Sequence, residues 1–264
     1  MDILTNIASV KNLLAVLTVG MVLLPAMAGA QVLVPSGSFH TVMPEVKGEP
    51  VAVDSFYLDT TAVTNKQYSE FLQDHEDWQP GNVPSIFAYK GYLKSWENAN
   101  SDDVVNPDEP VTSVSWYAAN AYCQSVDGRL PTLDEWEYSA QLMDFDSIAD
   151  AKEFANRLMS WYSTFDSENI GDVGSTGIEN RHGVKDQFGL IMEWVEDFKP
   201  LIANDLSLDC GTVGRMQKLG NAYSYAASIR YITRMSFSPK STNSTVGFRC
   251  AYDVETIEEK ETGL

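Results

Sequence analysis

The sequence is poor in basic residues, and this shortage limits the partners it can bind. Only 18 of its 264 residues are Lys or Arg, against 37 Asp or Glu, and the formal net charge is −19. A negative field of this size repels phosphate backbones and anionic lipid headgroups. We therefore expect neither nucleic acid nor a membrane surface as a partner. A cationic partner is compatible with the charge, and solubility alone also explains it.

Histidine and several enzyme motifs are also scarce or absent. His40, His75 and His182 are the only histidines, and no two of them lie four residues apart. A histidine-ligated iron centre is therefore not expected. The sequence has no Gly-x-Ser-x-Gly elbow and no phosphate-binding Gly loop, which argues against serine hydrolase and nucleotide chemistry. An acid pair for glycoside cleavage stays open, because nothing selects two of the 37 carboxylates.

The only long apolar run lies at the N-terminus. Lys11 precedes the apolar residues 13–24, and Ala28-Gly29-Ala30 follows as a small-x-small cleavage pattern. A membrane-spanning helix needs about 20 apolar residues, so residues 1–30 are predicted to be a secretory signal cut near Ala30. An uncleaved anchor is the alternative. The mature protein is predicted to be soluble and exported, and periplasmic if its source is a Gram-negative bacterium.

The stretch from 110 to 140 predicts two helices joined by a tight turn. Ser113 or Ser115 can cap the first helix, and Gly128 is expected to end it. Thr132-Leu-Asp-Glu135 has the pattern of a capping box, which predicts the start of the second helix. On geometry alone, the stretch is an αα-hairpin that serves as a packing unit.

The stretch before this hairpin holds another helix start and a long loop. Thr64-Asn-Lys-Gln67 is a second capping-box pattern. From Gln73 to Glu109 the chain is irregular, aromatic and acidic. Its aromatic residues either face a substrate or attach a long loop to the core, and the sequence leaves both open. They are Trp78, Phe87, Tyr89, Tyr92 and Trp96.

Several segments lie in the order of a known family pattern: Phe56–Asn65, Pro110–Trp116, Arg129–Tyr138, Phe188–Trp194 and Gly247–Cys250. Together they resemble the family of the formylglycine-generating enzyme, also called sulfatase-modifying factor domains. The resemblance covers roughly residues 32 to 253. It implies one α+β domain of the C-type-lectin-like kind over 31–254, with short helices, a small twisted antiparallel sheet and much irregular structure, followed by a solvated acidic tail at 255–264.

The same resemblance implies structural calcium near the Gly-, Asp- and Asn-rich residues 166–186. Calcium prefers carboxylate and carbonyl oxygens, and the positions that match the family are Asn180, Asp186 and Glu193. The family's Gly-Asn pair is Gly189-Leu190 here, so one oxygen donor is missing. The alternative is a loop whose Asp and Asn side chains form its own turns.

The segment Glu193-Trp-Val-Glu-Asp197 also matches the family. Its carboxylates are expected to meet Arg230, Arg234 or Arg249 from the closing segment. A structural network of ion pairs is favoured over acid–base catalysis.

Three cysteines in an exported chain predict one disulfide and one remaining thiol. The resemblance implies that Cys123 and Cys250 are bridged. Cys210 then remains as a weak candidate for a nucleophile or a ligand of a single metal ion. Asp209 beside it would raise the pKa of its thiol, which argues against an activated thiolate. The alternative is an unpaired, partly buried cysteine.

The copper chemistry that the resemblance implies is not expected in this chain. Copper-dependent members of the family hold Cu(I) between two active-site cysteines shortly before the closing Gly-Phe-Arg, because this soft ion selects thiolate ligands. Here no cysteine lies between Gly211 and Arg249. We therefore predict that the protein does not form formylglycine and holds neither copper of this type nor iron.

Two kinds of function remain after these exclusions. The first is an exported binding or maturation accessory that acts on a peptide or protein partner. The second is a divergent periplasmic oxidase that modifies peptides, such as those that mature siderophores. A variant of the second is a copper-handling accessory that uses Cys210 with Met192, Met216 or Met235.

Overall fold

A computed structural model of the chain describes residues 29–40, 49–96, 106–143, 147–164, 170–197 and 237–257. It is an α+β fold with short helices and small sheets, as the sequence predicts. The strands are β1 (Gln31–Val34), β2 (Gly37–Phe39), β3 (Val51–Val53), β4 (Phe56–Asp59), β5 (Met192–Glu193), β6 (Val246–Gly247) and β7 (Ala251–Asp253). The helices are α1 (Asn65–Asp74), α2 (Trp116–Ser125), α3 (Leu133–Gln141) and α4 (Ile148–Thr164), with short 3-10 turns at Glu76–Trp78 and Lys94–Trp96.

The largest sheet joins both ends of the described chain through β4. Its order is β1-β4-β7, and all its pairs are antiparallel, with Val32 opposite Leu58 and Tyr57 opposite Tyr252. Phe56 and Leu58 alternate toward the core, as expected for a strand with one buried face. Two smaller pairs, β2 with β3 and β5 with β6, complete the described strands. The sheet therefore places the closing strand β7 beside β4, which separates it from the first strand.

The helix starts follow the capping signals of the sequence. Thr64 and Gln67 form a reciprocal capping box at α1, and Thr132 and Glu135 form another at α3. Ser115 caps α2 by accepting from the backbone N–H of Ala118 at 3.2 Å. These contacts satisfy backbone donors that have no partner within the helix. Both predicted capping boxes are confirmed.

The turn after α2 differs from the prediction in the residue that ends the helix. Asp127 has the left-handed conformation, with φ of 59°. The N–H groups of Asp127 and Gly128 donate to the carbonyls of Gln124 and Cys123, at 3.1 and 2.8 Å, which is a Schellman ending. Gly128 is needed for a different reason, because a Cβ there would lie 2.7 Å from the ring of Tyr252. The glycine lets β7 pass close to the turn.

The described residues form three core clusters, and the α2–α3 hairpin contributes to all of them. Tyr122 of α2 lies in the first, Tyr138 of α3 in the second, and Trp136 of α3 in the third. Tyr68, Phe71 and Phe248 surround Tyr122 at ring-centroid distances of 5.7, 5.5 and 5.3 Å. The predicted packing role of the hairpin is therefore confirmed.

The described helices are all too short or too polar to cross a membrane. Residues 1–28, which hold most of the predicted signal, lie outside the described residues.

Candidate functional site

A buried ion pair connects the closing segment to β5. Arg249 is fully buried, and its Nε and Nη2 each donate to Glu193 at 2.8 Å, one to each carboxylate oxygen. Its guanidinium also donates to the backbone carbonyls of Asp59, Thr60 and Lys185, at 3.1, 3.3 and 2.8 Å. Both charges are thus paired and hydrogen-bonded, as buried charges require. This geometry fits a structural role.

Neighbouring groups hold the same carboxylate segment in place. The indole Nε1 of Trp136 donates to Glu193 at 2.8 Å. Asp197 accepts from the first backbone N–H of α3 at 2.8 Å, which places a negative charge at a helix N-terminus. The predicted pairing of this segment with the closing arginines is confirmed for Arg249, whereas Arg230 and Arg234 lie outside the described residues.

A second buried carboxyl, that of Asp59, lies beside this pair at the end of β4. Its Oδ2 accepts from the backbone N–H of Cys250 at 3.0 Å, and its Oδ1 accepts from the hydroxyl of Tyr252 at 3.2 Å. Burial raises the pKa of Asp59 to about 7, although the Cys250 N–H, the charge of Arg249 and the Tyr252 hydroxyl all act to lower it. The carboxyl therefore titrates near neutral pH.

We expect this carboxyl to make folding depend on pH. The pKa of Asp59 in the folded state, about 7, lies above its ordinary value of 3.8. Binding of a proton to Asp59 therefore stabilises the folded state, fully below about pH 4, and this stabilisation is lost progressively as the pH rises to about 7. The stability of the wild type relative to Asp59→Asn should fall as the pH rises from about 5 to about 8. Each unit of pKa difference corresponds to about 1.4 kcal/mol, so we expect a fall of at least about 1 kcal/mol in urea unfolding.

A matched control is Asp54→Asn, which changes an exposed carboxyl in the loop before the same strand. Its unfolding free energy should follow the wild type at every pH. Parallel profiles for the wild type and Asp59→Asn would contradict the assignment of Asp59.

The three residues predicted to bind calcium have hydrogen-bonded oxygens. Asn180 accepts from backbone N–H groups in the 182–184 turn at 2.9 and 3.0 Å. Asp186 accepts from N–H and O–H donors of the 174–176 turn, with the hydroxyl at 2.5 Å. Glu193 is paired as above, and within the described ranges no group of three His, Cys, Asp or Glu could hold a metal ion. In this arrangement the three side chains do not form a calcium cage; calcium binding stays a prediction.

The cysteines implied to be bridged form a disulfide. Cys123 of α2 and Cys250, next to β7, are joined, are fully buried and lie 127 residues apart in sequence. The bond attaches the first helix of the hairpin to the end of the closing segment. Cys210 lies outside the described residues.

The long aromatic loop after α1 has an inner and an outer set of side chains. The hydroxyl of Tyr92 donates to the carbonyl of Trp78 at 2.9 Å and meets the hydroxyl of Tyr68 at 2.7 Å, which attaches the loop to the core. Phe87 and Tyr89 instead remain 36% and 48% exposed. Attachment of the loop to the core is therefore confirmed for Tyr92, and a substrate-facing role of the exposed residues stays a prediction.

The outer set forms a surface that we call the aromatic loop surface, made of Ile86, Phe87 and Tyr89. Ile86 is 66% exposed, and Leu33 is the one other large apolar residue exposed among those described. A cluster of exposed apolar side chains is a common mark of an interaction site. The surface lies within four consecutive residues.

Segment 237–243 supports this surface. The backbone N–H of Tyr89 donates to the carbonyl of Lys240 at 2.8 Å, and the Nζ of Lys240 donates to the carbonyl of Ser85 at 3.3 Å. That Nζ also lies 4.8 Å from the centroid of the Tyr89 ring, a cation–π geometry. Phe87 packs against the rings of Trp78 and Tyr117 at centroid distances of 6.0 and 5.5 Å. These contacts attach the side chains of Phe87 and Tyr89 to the rest of the fold.

Comparison with known proteins decides the family. Residues 24–254 match the family described as sulfatase-modifying factor enzyme 1-like domain. The chain belongs to this family. The predicted resemblance and the fold that it implies are thereby confirmed.

The relatives of the chain within this family differ in the activity that their names state. The formylglycine-generating enzyme of Streptomyces coelicolor is 27% identical, over 88% of this chain and 91% of its own length. The inactive C-alpha-formylglycine-generating enzyme 2 of Mus musculus is also 27% identical, over 76% of each chain. Among solved structures, PvdO from Pseudomonas aeruginosa is 16% identical with a TM-score of 0.47, over 85% of this chain and 94% of that chain. Membership of the sulfatase-modifying factor family therefore does not fix an activity.

Two residues of interest were missed by the sequence reasoning. Asp59 gives no local signal, because its burial results from β7, which lies almost two hundred residues later in the chain. Lys240 meets Tyr89 across a similar separation. The sequence does mark the exposed part of the loop by its charge. The acidic residues of the loop lie toward its two ends, and residues 79–96 contain no Asp or Glu.

Proposed function

We propose that this member of the sulfatase-modifying factor family is exported and acts as a binding or maturation accessory for a peptide or protein partner, without forming formylglycine. The observation that carries the proposal is the aromatic loop surface. Three large apolar side chains stand exposed on four consecutive residues, and aromatic residues contribute strongly to protein interfaces.

The cysteine arrangement supports the absence of the family's copper chemistry. Cys123 and Cys250 are consumed by a buried disulfide, and the sequence contains three cysteines in all. Cys210 is then the one thiol left, whereas the family's copper site needs two thiolates. A scaffold that keeps its fold without this pair is suited to binding.

Site-specific cross-linking in the native host tests the proposal. A photoreactive residue placed at Ser85, which is exposed beside the aromatic loop surface, should capture a distinct polypeptide. The same residue at exposed Asp54 is the matched control and should not capture it. Equal capture at both positions, or none at Ser85, would contradict the proposal.

The mass of the captured partner separates an accessory from an enzyme. We expect a partner whose mass is the same with and without the chain. A partner that carries a chain-dependent modification would instead support the alternative of a divergent periplasmic peptide-modifying oxidase.

The copper-handling alternative depends on the single remaining thiol. Cys210 would act with Met192, Met216 or Met235, of which only Met192 lies among the described residues, where it is half-buried. Metal analysis of the purified chain should then show copper that is lost in Cys210→Ser. Equal copper content in the two proteins would end this alternative.

A further inference from the structure

The aromatic loop surface lies on a part of an acidic protein that contains no acidic residue. Residues 79–96 and 237–250 both lack Asp and Glu, although the chain has 37 of them. The two segments are in contact, since the backbone N–H of Tyr89 donates to Lys240 and the Thr242 hydroxyl donates to the carbonyl of Lys90 at 3.4 Å. Residues distant in sequence thus form one acid-free region.

Lysines give this region a local positive charge. Lys90 and Lys94 are exposed, and the Nζ of Lys240 lies over the ring of Tyr89. Along the chain, the nearest carboxylates are Asp77 and Glu97, on either side of the loop. At physiological ionic strength, charges farther than about 8 Å are largely screened. A partner that covers the Tyr89 ring lies well within this distance of the Nζ of Lys240, which is 4.8 Å from the ring centroid.

We propose that the aromatic loop surface, with Lys90, Lys94 and Lys240 at its edge, binds a peptide segment of the partner that is both apolar and acidic. This inference rests on the proposed function and names the chemistry of its partner. Apolar side chains of the segment cover Ile86, Phe87 and Tyr89, and its carboxylates pair with the lysines. Complementary charge of this kind sets specificity and association rate more than affinity.

The local charge of this region disfavours a basic segment, although the net charge of the whole chain favours one. The lysines repel it locally, and like charges across an interface are unfavourable. The net charge of the chain as a whole attracts basic segments and repels acidic ones. Selection for an acidic segment is therefore expected from the local lysines of this region and not from the net charge.

The contacts beneath the aromatic loop surface reduce the conformational entropy that its side chains lose on binding. Phe87 is held between Trp78 and Tyr117, and Tyr89 is held by its backbone bond to Lys240. Side chains already fixed in place lose little entropy when a partner binds. The surface is thus ready to bind without rearrangement.

Fluorescence anisotropy with labelled synthetic peptides tests the inference on the purified full chain. The probe is an extended peptide in which Glu alternates with Leu and Phe, and its matched controls carry Gln or Lys in place of Glu. We expect the Glu peptide to bind about tenfold more tightly than the Gln peptide, a difference that shrinks with added salt. The part of the binding that the loop variants remove should be no tighter for the Lys peptide than for the Gln peptide.

Two pairs of variants locate the binding. Phe87→Ser combined with Tyr89→Ser should abolish the loop-dependent binding, whereas Leu33→Ser, at the exposed apolar residue of β1, should not change it. Lys90→Gln combined with Lys94→Gln should weaken the binding of the Glu peptide about tenfold and leave the binding of the Gln peptide unchanged. Lys152→Gln, at an exposed lysine of α4, is its control and should bind like the wild type.

The outcomes separate this inference from the proposed function. Equal binding of the Glu and Gln peptides, tighter loop-dependent binding of the Lys peptide, absence of any peptide binding, or loop variants that bind like the wild type would each overturn the inference. Cross-linking at Ser85 would still support a partner in those cases. Failure of that cross-linking overturns the proposed function instead.

Discussion

Replacing Arg249 by Met should lower the free energy of unfolding by about 3–5 kcal/mol, because it leaves the buried Glu193 carboxylate without its cation. The side chain of Glu193 is 1% exposed and accepts two hydrogen bonds from the arginine at 2.8 Å. The backbone carbonyls of Asp59, Thr60 and Lys185 also each lose a hydrogen bond from the arginine. Urea unfolding followed by tryptophan fluorescence measures the change.

The double variant Arg249→Met with Glu193→Leu distinguishes the effect of an unpaired buried charge from the effect of changed packing. With both charges removed, a large part of the lost stability should return, since apolar replacements of buried ion pairs are often near neutral. Arg181→Met, at an exposed arginine, is the matched control and should stay within about 0.5 kcal/mol of the wild type. A loss below about 1 kcal/mol for Arg249→Met would show that the pair is not buried as described.

Removing the disulfide with Cys123→Ala and Cys250→Ala should cost about 3–5 kcal/mol. The bond closes a loop of 127 residues, and in the chain-entropy model a long loop in the unfolded state gives a large effect. The bond is a covalent link without charge, so the loss should not depend on the salt concentration. Chemical unfolding of the oxidised wild type and the double variant measures the difference.

Thiol counting provides the control for this prediction. The unfolded, unreduced wild type should show a single free thiol, and Cys210→Ser should show none, because the sequence has three cysteines. Peptide mapping should recover residue 123 linked to residue 250. A bridge that includes Cys210 would contradict the described pairing.

Much of the helical structure could be predicted because its signals are local. The capping boxes at Thr64 and Thr132 involve groups three residues apart, and both form as expected. The end of α2 was harder, because Asp127 can adopt the left-handed conformation that glycine usually supplies. The reason for Gly128 is the ring of Tyr252, which no local pattern contains.

The candidate site was less predictable because long-range contacts build it. Three arginines could have met Glu193, and only the fold places Arg249 against it. Likewise, aromatic residues in an irregular loop have no periodicity that would separate the buried Tyr92 from the exposed Tyr89. Charge is more informative there, since the lack of acidic residues in 79–96 is visible in the sequence itself.

The central claim is that this chain keeps the fold of the sulfatase-modifying factor family while lacking the pair of thiols that the family's copper chemistry requires. The direct measurement is mass spectrometry of a cysteine-containing sulfatase peptide after incubation with the purified chain, copper and oxygen. The formylglycine-generating enzyme of Streptomyces coelicolor serves as the positive control. The account predicts an unchanged peptide; conversion of its cysteine to the aldehyde, dependent on the chain, would contradict it.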